Sequence, residues 1–165
     1  MNRFLGSLIF SLTLLAAWAT AQRTPARPDL NGVWNLNVTD SDFGQVPPPL
    51  KQSETVTQAG EEIAIAILIE REGSRQSYTL RFRTGGGETP MERLFPADAP
   101  FRILSVKGEW KGAVLVVAER VQFQGAEGTL EAKYHLTSAG KKLKKTTHVA
   151  MPAGEFETTT VYDRE

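Results

Sequence analysis

The sequence predicts an all-β protein built as a single antiparallel up-and-down β-barrel of about ten strands. From Asn31 onward, apolar and polar residues alternate with the period that is typical of strands, and glycine-bearing turns recur at roughly ten-residue spacing. No segment of this region carries apolar residues at helical spacing. An open meander of this length would expose a long strand edge on each side, and closure into a barrel removes both edges. The alternative architecture is a sandwich of two sheets.

The turn positions predict how neighbouring strands pair. A turn at Gly73-Ser74 places Ile67 opposite Leu80, so turn geometry and apolar pattern select the same register. The same reasoning predicts five further pairs: Val56 with Ile63, Val106 with Val117, Glu119 with Tyr134, Leu136 with Leu143, and Lys145 with Tyr162. The inner wall of the barrel is then expected to include Ile65, Ile67, Phe82, Leu115, Val117 and Phe123.

Residues 1–21 are predicted to be a secretory signal peptide. Arg3 supplies the positive start, an apolar run follows, and Ala19-Thr20-Ala21 matches the small-x-small cleavage pattern. The apolar run is shorter than the ~20 residues of a spanning helix, which argues against the alternative of an uncleaved membrane anchor. We therefore expect a secreted or periplasmic protein, with a flexible arm at 22–28 and the barrel domain at 29–165.

The composition limits the classes of partner. Lysine plus arginine number 19 and aspartate plus glutamate number 19, so no charge excess favours nucleic acid or an anionic lipid surface. The chain has no cysteine, which excludes disulfides, thiolate metal sites, cysteine nucleophiles and an N-terminal lipid anchor. We expect no nucleic-acid partner, no stable membrane anchor, no metal and no cofactor.

Two sequence features resemble a known superfamily. Gly32-Val33-Trp34 opens the first predicted strand, and Arg164 lies at the end of the last. In this respect the sequence resembles lipocalins and fatty-acid-binding proteins, in which the first strand begins with a G-x-W motif and an arginine of the last strand packs over that tryptophan. The resemblance implies that Trp34 is buried beneath Arg164. Neither the helix-turn-helix lid of fatty-acid-binding proteins nor the C-terminal helix of lipocalins has a predicted counterpart here.

A closer resemblance covers most of the mature chain. The sequence resembles uncharacterised exported bacterial proteins described as lipocalin-like, and the similarity lies in three segments: Asp29-Leu30-Asn31-Gly32-Val33-Trp34, Ser41-Asp42-Phe43-Gly44 and Gly154-Glu155-Phe156-Glu157. This group implies a barrel fold and export, and it implies no particular activity.

A cluster of polar side chains is predicted inside the barrel, on neighbouring strands: Glu119, Tyr134, Lys145 and Tyr162. A few polar groups among apolar walls are how such pockets orient a ligand, and Lys145 could meet a carboxylate while the phenols donate hydrogen bonds. A second interpretation is structural, with Glu119 and Lys145 forming a buried ion pair closed off by the tyrosines. A slip of register by one residue would turn these side chains outward.

The two histidines are predicted to face outward, with His148 opposite Glu131 and His135 opposite Lys144. A histidine beside a carboxylate can be a general base or half of a metal site, but a solvated cross-strand contact is the simpler interpretation. No serine nucleophile or third partner accompanies either histidine, so we predict no enzyme.

Two functions fit this pattern. The first is a binding barrel that holds a small apolar or amphipathic molecule. The alternative is a protein-interaction or inhibitor module with a filled interior, whose working parts are the long segments 39–50 and 85–100.

Overall fold

A computed structural model describes residues 27–165. The signal peptide predicted at 1–21 and most of the arm predicted at 22–28 lie outside the described residues. Among residues 27–165, no helix is long and apolar enough to cross a membrane.

The described chain consists of antiparallel strands joined mostly by short turns. Their bounds are β1 Gly32–Asp42, β2 Lys51–Ala59, β3 Glu62–Arg71, β4 Ser74–Arg83, β5 Thr89–Pro90, β6 Phe101–Lys111, β7 Val114–Phe123, β8 Ala126–Thr137, β9 Lys142–Met151 and β10 Gly154–Arg164. A 3₁₀ turn, Ser138–Gly140, joins β8 to β9. The strands form one sheet in the order β4-β3-β2-β1-β10-β9-β8-β7-β6-β5, in which the first strand pairs with the last.

The free edges of this sheet meet at a seam between β4 and β6. Thr84 forms a parallel bridge with Gly108, and the Gly85 N–H donates to the Gly108 carbonyl at 3.0 Å. Gly108 permits this approach because a Cβ at that position would collide with the Phe82 ring. The result is a nearly closed up-and-down barrel, as the sequence predicted, and the alternative of a two-sheet sandwich is wrong.

The segment between β4 and β6 packs onto the barrel instead of forming a free loop. The Phe95 ring lies 5.4 Å from that of Tyr78 and 5.9 Å from that of Phe101, between ring centroids. Met91 and Leu94 also pack against the core. These contacts cover part of the seam that the two-residue strand β5 leaves exposed.

The predicted faces of the strands are confirmed, but most predicted registers are wrong. Ile67 lies opposite Tyr78 and not Leu80, and the turn is Glu72-Gly73, with Gly73 at a φ of 70°. The other observed pairs are Val56 with Ile65, Gly108 with Val117, Glu119 with Leu130, and Lys145 with Thr160. Leu136 lies opposite Leu143 as predicted. Each observed pairing differs from the predicted one by an even number of residues. The difference changes which residue lies opposite a given side chain, but it leaves every side chain on its predicted face of the sheet.

The apolar inner wall forms as predicted, with one exception. Ile65, Leu115 and Val117 have no solvent exposure, and Ile67 and Phe82 have almost none. Phe123 has inward parity but lies at the end of β7, where 48% of it is exposed. Its predicted role in the enclosed wall is therefore wrong.

Trp34 closes one end of the barrel. It is completely buried, and its indole N–H donates to the Leu30 carbonyl at 2.9 Å. The Arg164 guanidinium carbon lies 4.8 Å from the centre of the indole ring, and Arg164 is the cross-strand neighbour of Trp34 on β10. The predicted packing of arginine over tryptophan is confirmed.

Replacing Trp34 with alanine should lower the free energy of unfolding by about 3–5 kcal/mol, because it removes a fully buried aromatic side chain and leaves a cavity. Urea denaturation measures the loss. Val38→Ala is the control, since Val38 lies on the same strand and is 45% exposed. A loss below about 1 kcal/mol for Trp34→Ala would show that this end of the barrel is held by other contacts.

Candidate functional site

The two ends of the barrel differ in how tightly they are filled. At the end that contains Trp34, the inward side chains of Leu80, Leu115, Leu143 and Tyr162 have no solvent exposure. At the opposite end, which we call the mouth, Ile103 and Val121 are buried, but most other inward side chains are partly exposed: Gln52, Ile69, Tyr78, Leu130, Thr147, Val149 and Thr158. Side chains therefore fill the closed end, while solvent reaches the inner face at the mouth.

An open apolar groove lies at the mouth, beside the ends of β7, β8, β9 and β10. Its volume is about 870 Å³. Phe123, Ala126, Met151 and Phe156 line it, and each has the inward parity of its strand. Val46, from the segment between β1 and β2, contributes to the groove as well. The groove thus continues the inner wall of the barrel out to the solvent.

A buried ion pair lies between the mouth and the closed end. The Lys145 ammonium donates to Glu54 Oε1 at 2.7 Å, and the Tyr162 hydroxyl donates to the same oxygen at 2.9 Å. The Gln52 amide donates to the Tyr162 oxygen at 2.7 Å. Burial by itself would lower the pKa of Lys145, but the Glu54 carboxylate more than offsets this, so the pKa is raised and Lys145 stays protonated.

Two polar atoms beside this ion pair have no hydrogen-bond partner among the described residues. They are Glu54 Oε2 and the Tyr134 hydroxyl, and both are buried. The Tyr134 ring lies beneath Lys145, with the ammonium 5.1 Å from the ring centre. Burial raises the pKa of Tyr134, and the Glu54 carboxylate raises it further, so the hydroxyl keeps its proton. Unpaired buried polar atoms are costly and call for an explanation.

Glu119 is a second buried carboxyl group, and it is unpaired. It projects from the inner face of β7, opposite Val106 and Leu130, and only 7% of it is exposed. It forms no hydrogen bond or ion pair with another described residue. Burial raises the pKa of Glu119 to about 7, although Lys145 opposes the shift, and Glu54 adds to it. An unpaired, buried carboxyl group with a perturbed pKa is a common mark of a functional site.

The predicted polar residues all face inward, but they are not arranged as expected. Tyr134 and Lys145 are cross-strand neighbours, as the predicted pairing of Leu136 with Leu143 implies. Glu119 lies opposite Leu130 and Tyr162 lies opposite Leu143, so neither is in its predicted register. The structural interpretation, an ion pair between Glu119 and Lys145, is wrong because Glu54 occupies the place beside the ammonium.

Sequence reasoning missed Glu54, although a signal for it was available. Glu54 shares the strand parity of Val56, which the hydrophobic pattern already assigns to the core. Its partner Lys145 comes from a strand far along the chain, and the closure that brings them together depends on β1 pairing with β10.

The histidines lie on the outer face as predicted. His148 is opposite Glu131 and His135 is opposite Lys144. The nearest acidic contact of His148 is Glu155, at 3.4 Å between Nε2 and Oε2. Within residues 27–165, no group of three or more potential ligands has metal-binding geometry.

Lys145→Met should lower the free energy of unfolding by about 3–5 kcal/mol, because it leaves Glu54 as an unpaired buried charge. The double variant Glu54→Leu/Lys145→Met should recover most of this loss, since no charge is then left without a partner. Thermal and urea unfolding measure both effects. Lys144→Met, on the exposed outer face of the same strand, is the control. If the double variant is no more stable than Lys145→Met alone, Glu54 is not the ion-pair partner of Lys145.

Glu119 should make stability depend on pH. Its folded pKa of about 7 lies above the reference value of 4.5, so the stabilisation it provides is complete below pH 4.5 and is lost as the pH rises through 7. As the pH is raised from about 5 to about 8, the free energy of unfolding of the unmodified protein should therefore fall by up to roughly 3 kcal/mol more than that of Glu119→Gln. Urea unfolding at several pH values measures the difference. Glu131→Gln, on the outer face, should show the same dependence of unfolding free energy on pH as the unmodified protein. If all three proteins show the same dependence, Glu119 is not buried as described.

Two solved structures are similar to this barrel. Zebrafish ileal bile acid-binding protein, complexed with cholic acid, has 12% sequence identity and a TM-score of 0.55, over 82% of this chain and 98% of that one. Human cRBP IV has 15% identity and a TM-score of 0.50, over 84% of this chain and 99% of that one. Comparison with protein-family models and with curated proteins found no match. At these identities the likeness concerns the fold alone: the chain has a lipocalin-like barrel fold.

Proposed function

We propose that this protein binds a small, mainly apolar molecule with one polar end, in the mouth of the barrel. The observation that carries the proposal is the unpaired Glu119 carboxyl group beneath partly exposed inner side chains and an apolar groove. The similarity to a bile acid-binding protein supports a small, mainly apolar ligand and does not bear on the chemistry of its polar end. Since residues 1–21 are predicted to be a signal peptide, we place this activity outside the cytoplasm.

The distance from the groove to Glu119 sets the length of the proposed site. Glu119, Val121 and Phe123 alternate on the inner face of β7, so Phe123 in the groove lies about 13 Å along the strand from Glu119. Val121 is buried, so a molecule with its polar end at Glu119 would extend its apolar part along β8 and β9, past the partly exposed Leu130 and Val149, and into the groove. It would reach no deeper, because the side chains at the closed end leave no solvent-accessible space.

The alternative, a protein-interaction module, has less support from the fold. Of the segment 39–50, the first residues belong to β1, which extends to Asp42. The segment 85–100 is packed against the barrel through Phe95. Leu50 is 76% exposed, but an isolated exposed leucine does not make an interaction surface.

A blocking substitution tests the binding proposal. Val149 is partly exposed on the inner face at the mouth, and Val149→Trp should fill the space that a ligand would use. We expect this variant to bind a fluorescent apolar dye at least about tenfold more weakly than the unmodified protein, a loss of about 1.4 kcal/mol. Fluorescence titration measures the affinity, and native mass spectrometry of the purified protein identifies any bound molecule.

Ala150→Trp is the matched control, because Ala150 is the next residue on β9 and faces outward. It should leave dye binding unchanged. The proposal fails if the unmodified protein binds no apolar probe, or if Val149→Trp and Ala150→Trp bind the dye equally well.

A further inference from the structure

We propose that the polar end of the ligand is a protonated amine that pairs with the Glu119 carboxylate, and that the barrel rejects carboxylates of the same size. This inference rests on the proposed function and names the class of ligand for that site. It follows from the charges and hydrogen-bonding groups that the barrel encloses.

The interior of the described barrel contains two carboxyl groups and one ammonium group. Glu54 and Glu119 are its buried carboxyl groups, and Lys145 is the ammonium group beside them. Arg164 is at the other end, above Trp34, where it is exposed to solvent. Because Lys145 is already bound to Glu54 at 2.7 Å, the Glu119 carboxylate has no ion-pair partner of its own among the described residues when it ionises. A cationic ligand would supply it.

The site has unused acceptors and unused donors. The acceptors are the two Glu119 oxygens and Glu54 Oε2, and the donors are the Tyr134 hydroxyl and the two Lys145 N–H groups that Glu54 does not use. An ammonium group carries three donors and no acceptor, which suits the three acceptors, and the excess of acids over cations favours it over an anion. A ligand carboxylate would find Lys145 engaged and two protein carboxyl groups nearby, and like charges in a poorly solvated site repel strongly.

The apolar groove has the same charge bias. The residues that line it include Glu155 and Glu157, and none of them is lysine or arginine. The basic residues Lys51, Arg71 and Arg75 lie across the mouth, at the ends of β2, β3 and β4. Carboxylates along the groove raise the local concentration of cations and lower that of anions, so the groove, like the buried site, favours an amine over a carboxylate.

The ionisation of Glu119 then links binding to pH. The titratable groups that act on it are Lys145 from β9, Glu54 from β2, Tyr78 from β4 and Tyr134 from β8, while its direct cross-strand neighbours on β6 and β8 are the apolar Val106 and Leu130. Burial raises the pKa of Glu119 to about 7, so the carboxylate that an amine needs forms only near neutral pH. Amine binding should strengthen as the pH rises from about 6 to about 8, since the amine itself stays protonated over this range.

Three probes with the same dodecyl chain and different polar ends provide the test: dodecylamine, dodecanol and dodecanoate. Isothermal titration calorimetry at about pH 8 should give an affinity for dodecylamine at least about tenfold above that for dodecanoate, a difference of about 1.4 kcal/mol. Glu119→Gln should weaken dodecylamine binding by at least about tenfold and leave dodecanol binding within about threefold. Glu131→Gln, whose carboxyl group lies on the outer face of β8, should leave the order of the probes unchanged.

The outcomes separate this inference from the proposed function. If dodecanoate binds as tightly as dodecylamine, the amine specificity is wrong while the binding function stands. If none of the three probes binds, the binding function is wrong and the inference is wrong with it. An amine preference that survives in Glu119→Gln would overturn the assignment to Glu119. If Glu119→Gln does not fold, the unmodified protein provides the test. The assignment to Glu119 is then overturned if its affinity for dodecylamine does not change between about pH 6 and pH 8.

Discussion

Lys145 and Glu54 meet inside the barrel at 2.7 Å, and their ion pair divides the interior into two halves. Below it, Trp34, Leu80, Leu115 and Leu143 fill the closed end completely. Above it, the inner wall becomes partly exposed and opens into an apolar groove. Burying an ion pair costs solvation on both sides, and Tyr162 reduces that cost by adding a hydrogen bond to the same carboxylate oxygen.

The ion pair also explains why Glu119 stands out. With Glu54 beside the ammonium, no second cation among the described residues pairs with Glu119, which is left buried between the apolar Val106 and Leu130. A protein selected for stability alone gains little from such a group, because an apolar side chain of similar size would avoid its desolvation cost. Its place just below the mouth is consistent with a role in recognition.

The polar site could be predicted from sequence only in part. Alternation along β7, β8, β9 and β10 assigned Glu119, Tyr134, Lys145 and Tyr162 to the inner face, and each of them faces inward. Alternation did not give the correct ion pair, because it fixes the face of a side chain but not its height in the barrel. That height depends on the turns: the hairpin between β7 and β8 closes at Gln124-Gly125, which moves Tyr134 from Glu119 to Leu115.

The sequence by itself determined the strand content, the meander of hairpins and the inward face of Glu119, Tyr134, Lys145 and Tyr162. These features depend on period, on parity and on local turn residues, which are read within a few neighbouring positions. The packing of Arg164 over Trp34 was implied by the resemblance of the G-x-W motif to that of lipocalins, and not by any local pattern. The tertiary structure alone decided that β4 meets β6 at Gly108, that Glu54 is the partner of Lys145, and that one end is filled while the other is open. The reason is that contacts across a closed barrel join strands far apart in the chain, and their heights depend on the combined registers of all the hairpins between them.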